Sequence, residues 1–500
     1  MSIIQKQSIR SSIVIMIGFA IGAVNIILIA PKVLTSEQLG LTRIITDAGL
    51  TLASMCTLGS IPVINKFFPF YKSYLKDEEN DLPFITLAVC LVGFIIMCAV
   101  GYALHDIIVR KFSERSPLFV KYSYLVYPFG LFILLFLWLE TFSWSFRKGV
   151  ISNGLKETVA RVTFTFLLLI VSIHAITIHQ FFTLFSLSYL LPVLILFYIL
   201  RKTGHFKFNF KVSHLTSRIK GRMINFGLYI FAAQFLNLLS RTVDTFILSS
   251  KSARGLSDAA VFTIATYVVT LMEIPQRSIT SITVPVLAES WKNKNLQHIR
   301  KVYVKSVSNL LIIGLVMFCI IWLNAHNLAS YLGKDFTGIE KLVLLMGIGK
   351  LIDLGTGANS QVIATSSYWK VDFTTNVLYT ILALPLNYIL ISNYGLIGAA
   401  YSTVISLTFY NLMRFGFLWY KFKMQPYSSR NFLAIAIAFV CTVIVYSVPR
   451  IPSPVIDTIL RTIVFAALFA PAIYFTNISE EINELIRNYL SKARSIVTRK

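Results

Sequence analysis

The chain has 500 residues, of which 56% are hydrophobic and 14% charged, and its mean hydropathy is +0.71. A soluble domain carries about a quarter charged residues, so this composition argues against one and for a chain that lives in lipid. The net charge of +24 would suit a polyanion, but no basic-aromatic recognition module accompanies it, and nucleic acid is not expected as a partner.

Crossing roughly 30 Å of hydrocarbon takes about 20 mainly apolar residues. About fourteen such stretches follow one another along the chain. They lie near 11–31, 41–65, 84–104, 118–139, 157–175, 180–200, 223–249, 258–288, 303–325, 339–364, 371–392, 395–420, 431–449 and 454–475. Backbone groups in lipid must be satisfied within their own segment, and the alternation of a barrel strand is absent, so each stretch is expected to be a helix. The expected fold is an all-α polytopic membrane protein with about 14 transmembrane helices and both termini cytoplasmic.

The longest hydrophilic interruption before the tail, about 201–222, follows six spans, and six more lead to a short break at 421–430. This gives an N-terminal six-helix lobe over 1–202, a basic cytoplasmic linker over 203–222 and a C-terminal six-helix lobe over 223–421. An appended helix pair over 422–476 and a cytoplasmic amphipathic tail over 477–500 complete the chain. In the tail Ile482, Leu485, Ile486, Tyr489 and Leu490 recur at helical spacing, as in a helix lying on a membrane face. With sides alternating from a cytoplasmic N-terminus, roughly thirty Lys and Arg fall inside and about ten outside, the asymmetry of the positive-inside rule. The basic residues are thus read as topology and as contact with anionic membrane lipids. The lobes also share a pattern. The second span of each closes on a Pro-Val pair, at Pro62-Val63 and Pro285-Val286. Corresponding spans begin about 215–220 residues apart, the plan of a parallel-repeat transporter.

Several kinds of chemistry find no support. There is no nucleotide-binding glycine loop, the seven His lack ligand spacing, and the five cysteines (Cys56, Cys90, Cys98, Cys319, Cys441) show neither metal spacing nor a paired framework. No catalytic set can be assembled. The chain is not expected to be an enzyme or to need a cofactor or a metal.

Ionisable residues inside the spans remain, and each costs several kcal/mol unless it is paired or wet. Arg43 and Asp47 stand four apart in the second span. Gln234, Asn237, Arg241 and Asp244 form one stripe of the seventh. Glu273 and Arg277 bracket Pro275 in the eighth, where a kink is expected. Lys350 and Asp353 share a face of the tenth with Gly357, Ser360 and Gln361. Asn25 follows Gly18 and Gly22 on one face of the first. Local ion pairs that only ease insertion would explain any one of these pairs. Four polar stripes drawn from both lobes point instead to a shared water-filled cavity. Its guanidinium and ammonium groups suit a phosphate-bearing ligand.

The segment after the first span, Ala30-Pro31-Lys32-Val33-Leu34-Thr35 and then Glu37-Gln38-Leu39-Gly40-Leu41, resembles the start of polysaccharide-biosynthesis (O-antigen type) flippases. These belong to the multidrug/oligosaccharidyl-lipid/polysaccharide transporter superfamily. The resemblance implies a bacterial inner-membrane transporter that carries undecaprenyl-pyrophosphate-linked oligosaccharide to the outer leaflet by alternating access, for surface polysaccharide such as O-antigen or capsule. It implies a cationic cavity, for which Arg43, Arg241, Arg277 and Lys350 are the available positions. Asp47, Asp244, Glu273 and Asp353 are its acids, and Asn25, Gln234 and Asn237 its neutral polar groups. Coupling to H+ or Na+ stays open, as does assembly with other polysaccharide-assembly membrane proteins. The first span carries no basic residue, a departure from the peptidoglycan-precursor flippases. Two further readings stay open. One is a cation-coupled multidrug extruder of the same superfamily, which would want an acidic cavity. The other is a membrane-embedded glycosyltransferase or polymerase, which would want a large loop bearing carboxylates.

Overall fold

A computed structural model describes residues 3–479 together with Asn483 and Glu484; the side chains of residues 3–12, Ala233, Asn237, Arg241, Ser278 and Ser281 lie outside the description. The expected amphipathic tail lies almost wholly outside the described residues. Among those described, every regular element is a helix. Ten helices are long and apolar enough to cross a membrane, and two bent pairs raise the number to twelve. The chain is a multi-pass membrane protein.

Two of the expected stretches are not among these twelve, counted over the described residues. The two missing stretches are helical but carry charge. One is the continuous run from Gly149 to Ser172, with Lys156, Glu157 and Arg161. The other is Ile339–Gly355, 17 residues long, with Lys350 and Asp353.

Two compact units divide the chain, Met1–Ala260 and Val261–Lys500. In the first, the Ser36–Cys56 helix packs on the Val126–Ser145 helix and on the 38-residue helix His214–Lys251. At 1.5 Å per residue the latter spans about 57 Å, far more than a bilayer core. The basic residues Arg218, Lys220 and Arg222 therefore belong to helix, not to a loose tether.

The opening motif of the second span is a folding signal. Thr35 Oγ1 accepts from the Gln38 amide at 3.2 Å, and Gln38 Oε1 accepts from the Thr35 amide at 3.0 Å. This capping box starts the Ser36–Cys56 helix. Gly40, one turn on, faces backbone: a Cβ there would stand 1.9 Å from the Leu256 carbonyl oxygen.

The second span then breaks. Ser36–Cys56 and Ser60–Tyr74 meet at 48°, with Leu58 at φ 44 and Gly59 at φ 85 between them. A Cβ on Gly59 would meet the Gly227 carbonyl at 2.4 Å, so both backbone freedom and close approach require glycine. The eighth span breaks alike, Leu256–Thr270 meeting Glu273–Lys292 at 49°. Pro62 and Pro275 each stand third in the helix after the break, where the ring opposes the carbonyl four residues back. The kink expected at Pro275 is present. The internal repeat consequently pairs Pro62 with Pro275; Pro285 lies inside a helix.

The segment from His205 to Phe210 alternates polar and aromatic residues and runs extended, so its two faces do different work. His205 Nδ1 meets Asp77 at 2.6 Å, Lys207 Nζ meets Glu78 at 3.1 Å, and Asn209 Nδ2 donates to the Glu79 carbonyl at 3.0 Å. Phe206 is buried against Trp138 and Phe142, and Phe210 packs edge-on against Phe84. Asp81, fully buried, then accepts from the Ser213 amide and hydroxyl and from the Thr216 hydroxyl. The linker is a strap fixed to the 75–81 loop.

In the second unit the Leu296–Leu323 helix packs on the Ile339–Gly355, Ser429–Tyr446 and Pro454–Thr476 helices. Leu311, Leu315 and Cys319 meet Ala434, Ala438, Cys441, Phe465 and Phe469 in one apolar core. The appended pair is thus integral to this unit. Asp457 and Arg461, both buried, pair at 2.7 Å within it, and Asn327 donates to Asp457 at 2.8 Å.

Candidate functional site

Of the polar groups singled out in the sequence, Arg43, Asp47 and Asp244 lie together in the first unit, and Glu273, Arg277, Lys350 and Asp353 in the second. In the first unit Arg43 Nε lies 2.8 Å from Asp47 Oδ2, an i,i+4 pair within the Ser36–Cys56 helix. The same carboxylate oxygen accepts from Thr245 Oγ1 at 2.6 Å, which ties this helix to His214–Lys251. One turn away Thr51 and Thr242 meet at 3.4 Å. Asp47 is buried, while Arg43 keeps 24% of its side chain exposed. Asp244 has Arg43 and Asp47 as charged neighbours. Its Oδ1 is buried with no hydrogen-bond partner among the described residues.

The other first-unit positions are placed differently. Gln234 is exposed. Asn237 and Arg241 stand on the described helix, but their side chains lie outside the described residues. Asn25 is fully buried, and both ends of its amide are engaged: Nδ2 donates to the Arg161 carbonyl at 2.9 Å, and Oδ1 accepts from Thr165 at 2.8 Å. Gly18 and Gly22 of the same face abut Glu157 and Arg161, where a Cβ would stand 2.4 Å from the Glu157 carbonyl oxygen. That face fastens the first span to the fifth.

In the second unit Lys350 is the hub. Its Nζ lies 2.7 Å from Asp353 Oδ2 and 3.1 Å from Glu273 Oε1, joining the tenth span to the eighth. Glu273 Oε2 also accepts from Arg277 Nη2 at 3.1 Å. Asp353 gains neutral donors as well: Asn411 Nδ2 at 3.1 Å and, at the 3.5 Å limit, Gln276 Nε2. Asn411 in turn accepts from Thr356 at 2.7 Å and from Asn359 at 3.0 Å. Lys350 and Asp353 are largely buried, whereas Arg277 keeps 63% of its side chain exposed. The expected continuation of the Lys350 face to Ser360 and Gln361 does not occur. The helix stops at Gly355, and Gly357 turns the chain at φ +65. Ser360 then donates to Asp372 and Gln361 to Thr280.

Each cluster contains a partner that the spacing does not show. Thr245, Asn411 and Gln276 are neutral residues in apolar or mixed stretches, and their role depends on contacts across helices. Arg414 pairs with Asp372, 42 residues away, and Lys156 with Glu140, 16 away. A search for partners three or four residues off cannot find them. Glu157 and Arg161, by contrast, are an i,i+4 pair at 2.7 Å, readable by the rule that found Arg43 and Asp47. Among the described residues no group of His, Cys, Asp and Glu could hold a metal ion.

Similarity to known proteins agrees with this architecture. The MatE family matches residues 230–389. The lipid II flippase MurJ, in an inward closed conformation, superposes with a TM-score of 0.72 at 15% identity, covering 94% of this chain and 100% of that one. A multidrug resistance MATE family transporter of the MOP superfamily, facing inward, gives 0.59 at 17% identity over 84% of this chain and 98% of that one. A MOP superfamily transporter from Pyrococcus furiosus gives 0.50 at 14% identity, over 84% and 95%. No curated protein matches the chain in sequence. At this identity the likeness is one of fold, and the fold is that of the MOP superfamily transporters.

Proposed function

We propose that the chain is a flippase that moves undecaprenyl-pyrophosphate-linked oligosaccharide from the cytoplasmic to the outer leaflet of a bacterial inner membrane by alternating access, for surface polysaccharide export. The observation that carries this reading is Arg277. Its guanidinium sits within a broken span, has one ion pair among the described residues, to Glu273, and is 63% exposed. A charged group at that depth is costly unless wet, and a guanidinium that is wet and half-engaged offers a planar fork to phosphate oxygens. Lys350, which shares Glu273 with it, adds a second cation; Arg43 is a third residue assigned to the headgroup on sequence grounds. Arg241 is the fourth residue assigned to the headgroup on sequence grounds. Asp47, Asp244, Glu273 and Asp353 are then the counter-charges and the candidates for coupling to H+ or Na+.

The membrane potential favours the same direction. A pyrophosphate diester carries about two negative charges, and each is worth about 2.3 kcal/mol per 100 mV in leaving a negative interior. The fold likeness to a lipid II flippase supports a lipid-linked substrate. A second reading, a cation-coupled multidrug extruder, is favoured by the MatE match over residues 230–389 and by the likeness to a multidrug transporter. Against it stands the charge balance of the second-unit cluster, where Arg277 and Lys350 offset Glu273 and Asp353; an organic cation would want an excess of acid.

The test is complementation of a strain lacking its O-antigen or capsule flippase, with Arg277→Ala and Lys350→Ala alongside at equal membrane abundance. Rescue by the wild type and failure of both variants supports the reading. Resistance to cationic dyes without rescue favours extrusion.

A further inference from the structure

The two carboxylates that share Lys350 are not held alike. Asp353 has Lys350 at 2.7 Å and, besides, the side-chain amides of Asn411 and Gln276. Glu273 has Lys350 and Arg277, both at 3.1 Å, and no neutral donor among the described residues. Among the described residues, the side chains that hold the Glu273 charge are thus the two cations assigned above to the headgroup, beside the open amides of the helix it begins. A phosphate that approaches Arg277 and Lys350 competes for the donors Glu273 uses. Asp353 keeps its amides whichever way Lys350 turns.

The consequence follows from charge. Glu273, Arg277, Lys350 and Asp353 sum to zero as they stand. A pyrophosphate diester would bring the site to about minus two, with Glu273 stripped of its partners and set beside added negative charge. A carboxyl in that position takes a proton rather than stay charged and unpaired. We propose that pyrophosphate displaces Glu273 from Arg277 and Lys350 and that Glu273 takes up a proton from water as it does so, making headgroup binding and proton uptake a single event.

This rests on the reading of Arg277 and Lys350 as headgroup cations, and it assigns the coupling role to Glu273 rather than Asp353. Among the described residues, the elements packed on the Glu273–Lys292 helix bring no further charged group near its start, and the Cys319 thiol of Leu296–Leu323 lies in the apolar core with Ala438 and Cys441. On Leu296–Leu323 the ionisable residues His298, Arg300, Lys301, Tyr303 and Lys305 stand in its first ten residues. The short loop at 293–295 joins that end to the far end of the Glu273–Lys292 helix, about 28 Å from Glu273 along the axis. Asn359–Ala364 carries no ionisable side chain.

The experiment is calorimetric titration of the full chain in lipid nanodiscs with undecaprenyl-pyrophosphoryl-N-acetylglucosamine. This diester keeps its charge across neutral pH, so exchanged protons come from the protein. Titration at pH 7 in PIPES and in Tris, whose ionisation enthalpies differ and neither of which carries phosphate, counts the protons. The wild type is expected to take up about one proton on binding. Glu273→Gln should take up none and bind several-fold more tightly, because its cations are already released. Asp353→Asn should still take up about one, which separates loss of coupling from general damage to the cluster. Binding by the wild type with no proton exchange, or undiminished uptake in Glu273→Gln, overturns the proposal and leaves the headgroup reading standing. Absence of binding by a folded wild type overturns both.

Discussion

Replacing Lys350 by Met tests the second-unit cluster most severely. The substitution keeps the length and apolar bulk of the side chain and deletes the charge that Asp353 meets at 2.7 Å and Glu273 at 3.1 Å. Lys350 and Asp353 are only 13% and 15% exposed, so water cannot replace the missing partner. Breaking one side of a buried ion pair costs about 3–5 kcal/mol. The lower end applies here, because Glu273 retains Arg277 and Asp353 retains Asn411. An expected loss of about 3 kcal/mol is roughly a 150-fold shift in the unfolding equilibrium, to be read by SDS titration of the protein in mixed micelles. The triple variant Glu273→Gln, Lys350→Met, Asp353→Asn removes the charges together and should recover most of the loss, since a neutral replacement of a whole buried network is close to neutral. A Lys350→Met protein within about 0.5 kcal/mol of wild type, or a triple variant no better than the single, would refute the reasoning.

Three further outcomes are expected. Thr245→Val removes the 2.6 Å hydrogen bond to Asp47 that joins two helices; a loss of about 1–2 kcal/mol is expected in the same denaturation assay, and none if that bond is not formed. Gly40→Ala places a Cβ 1.9 Å from the Leu256 carbonyl oxygen, where only backbone can yield, and should cost about 1–3 kcal/mol; Gly221→Ala, with open space around it, is the control and should leave thermal stability in detergent unchanged or raised. Asp81→Ala deletes the acceptor of three hydrogen bonds from Ser213 and Thr216, and trypsin should then cut at Lys207 and Lys211 many-fold faster; an unchanged digestion pattern would show that the strap is held without Asp81.

The helices were legible because each obeys a local rule. Apolar length marks a span, Pro275 marks a bend, and i,i+4 spacing marks the Arg43–Asp47 and Glu273–Arg277 pairs. What stayed hidden depends on neighbours across space. The capping box of Thr35 and Gln38 and the close contact at Gly40 explain the stretch that carried the resemblance, so its specificity is that of a fold. Lys350 reads locally as the partner of Asp353; its second partner, Glu273, is 77 residues away and comes to it only through packing. The Gly357 turn ends a helix that apolar periodicity would have continued to Gln361, because a single left-handed residue outweighs pattern there. The attachment of the basic linker stayed hidden for want of a rule joining its alternating aromatics to a distant acidic loop.

Reconstituted flux tests whether this chain carries a lipid-linked pyrophosphate across the membrane. Proteoliposomes are loaded with undecaprenyl-pyrophosphate-linked oligosaccharide, and substrate reaching the outer leaflet is counted with an impermeant sugar-binding lectin. Wild-type protein is expected to equilibrate the substrate between leaflets many-fold faster than empty vesicles, and Arg277→Ala to slow this sharply at equal reconstitution. Flux no faster than in empty vesicles, with efflux of a cationic dye from the same preparation, would contradict it.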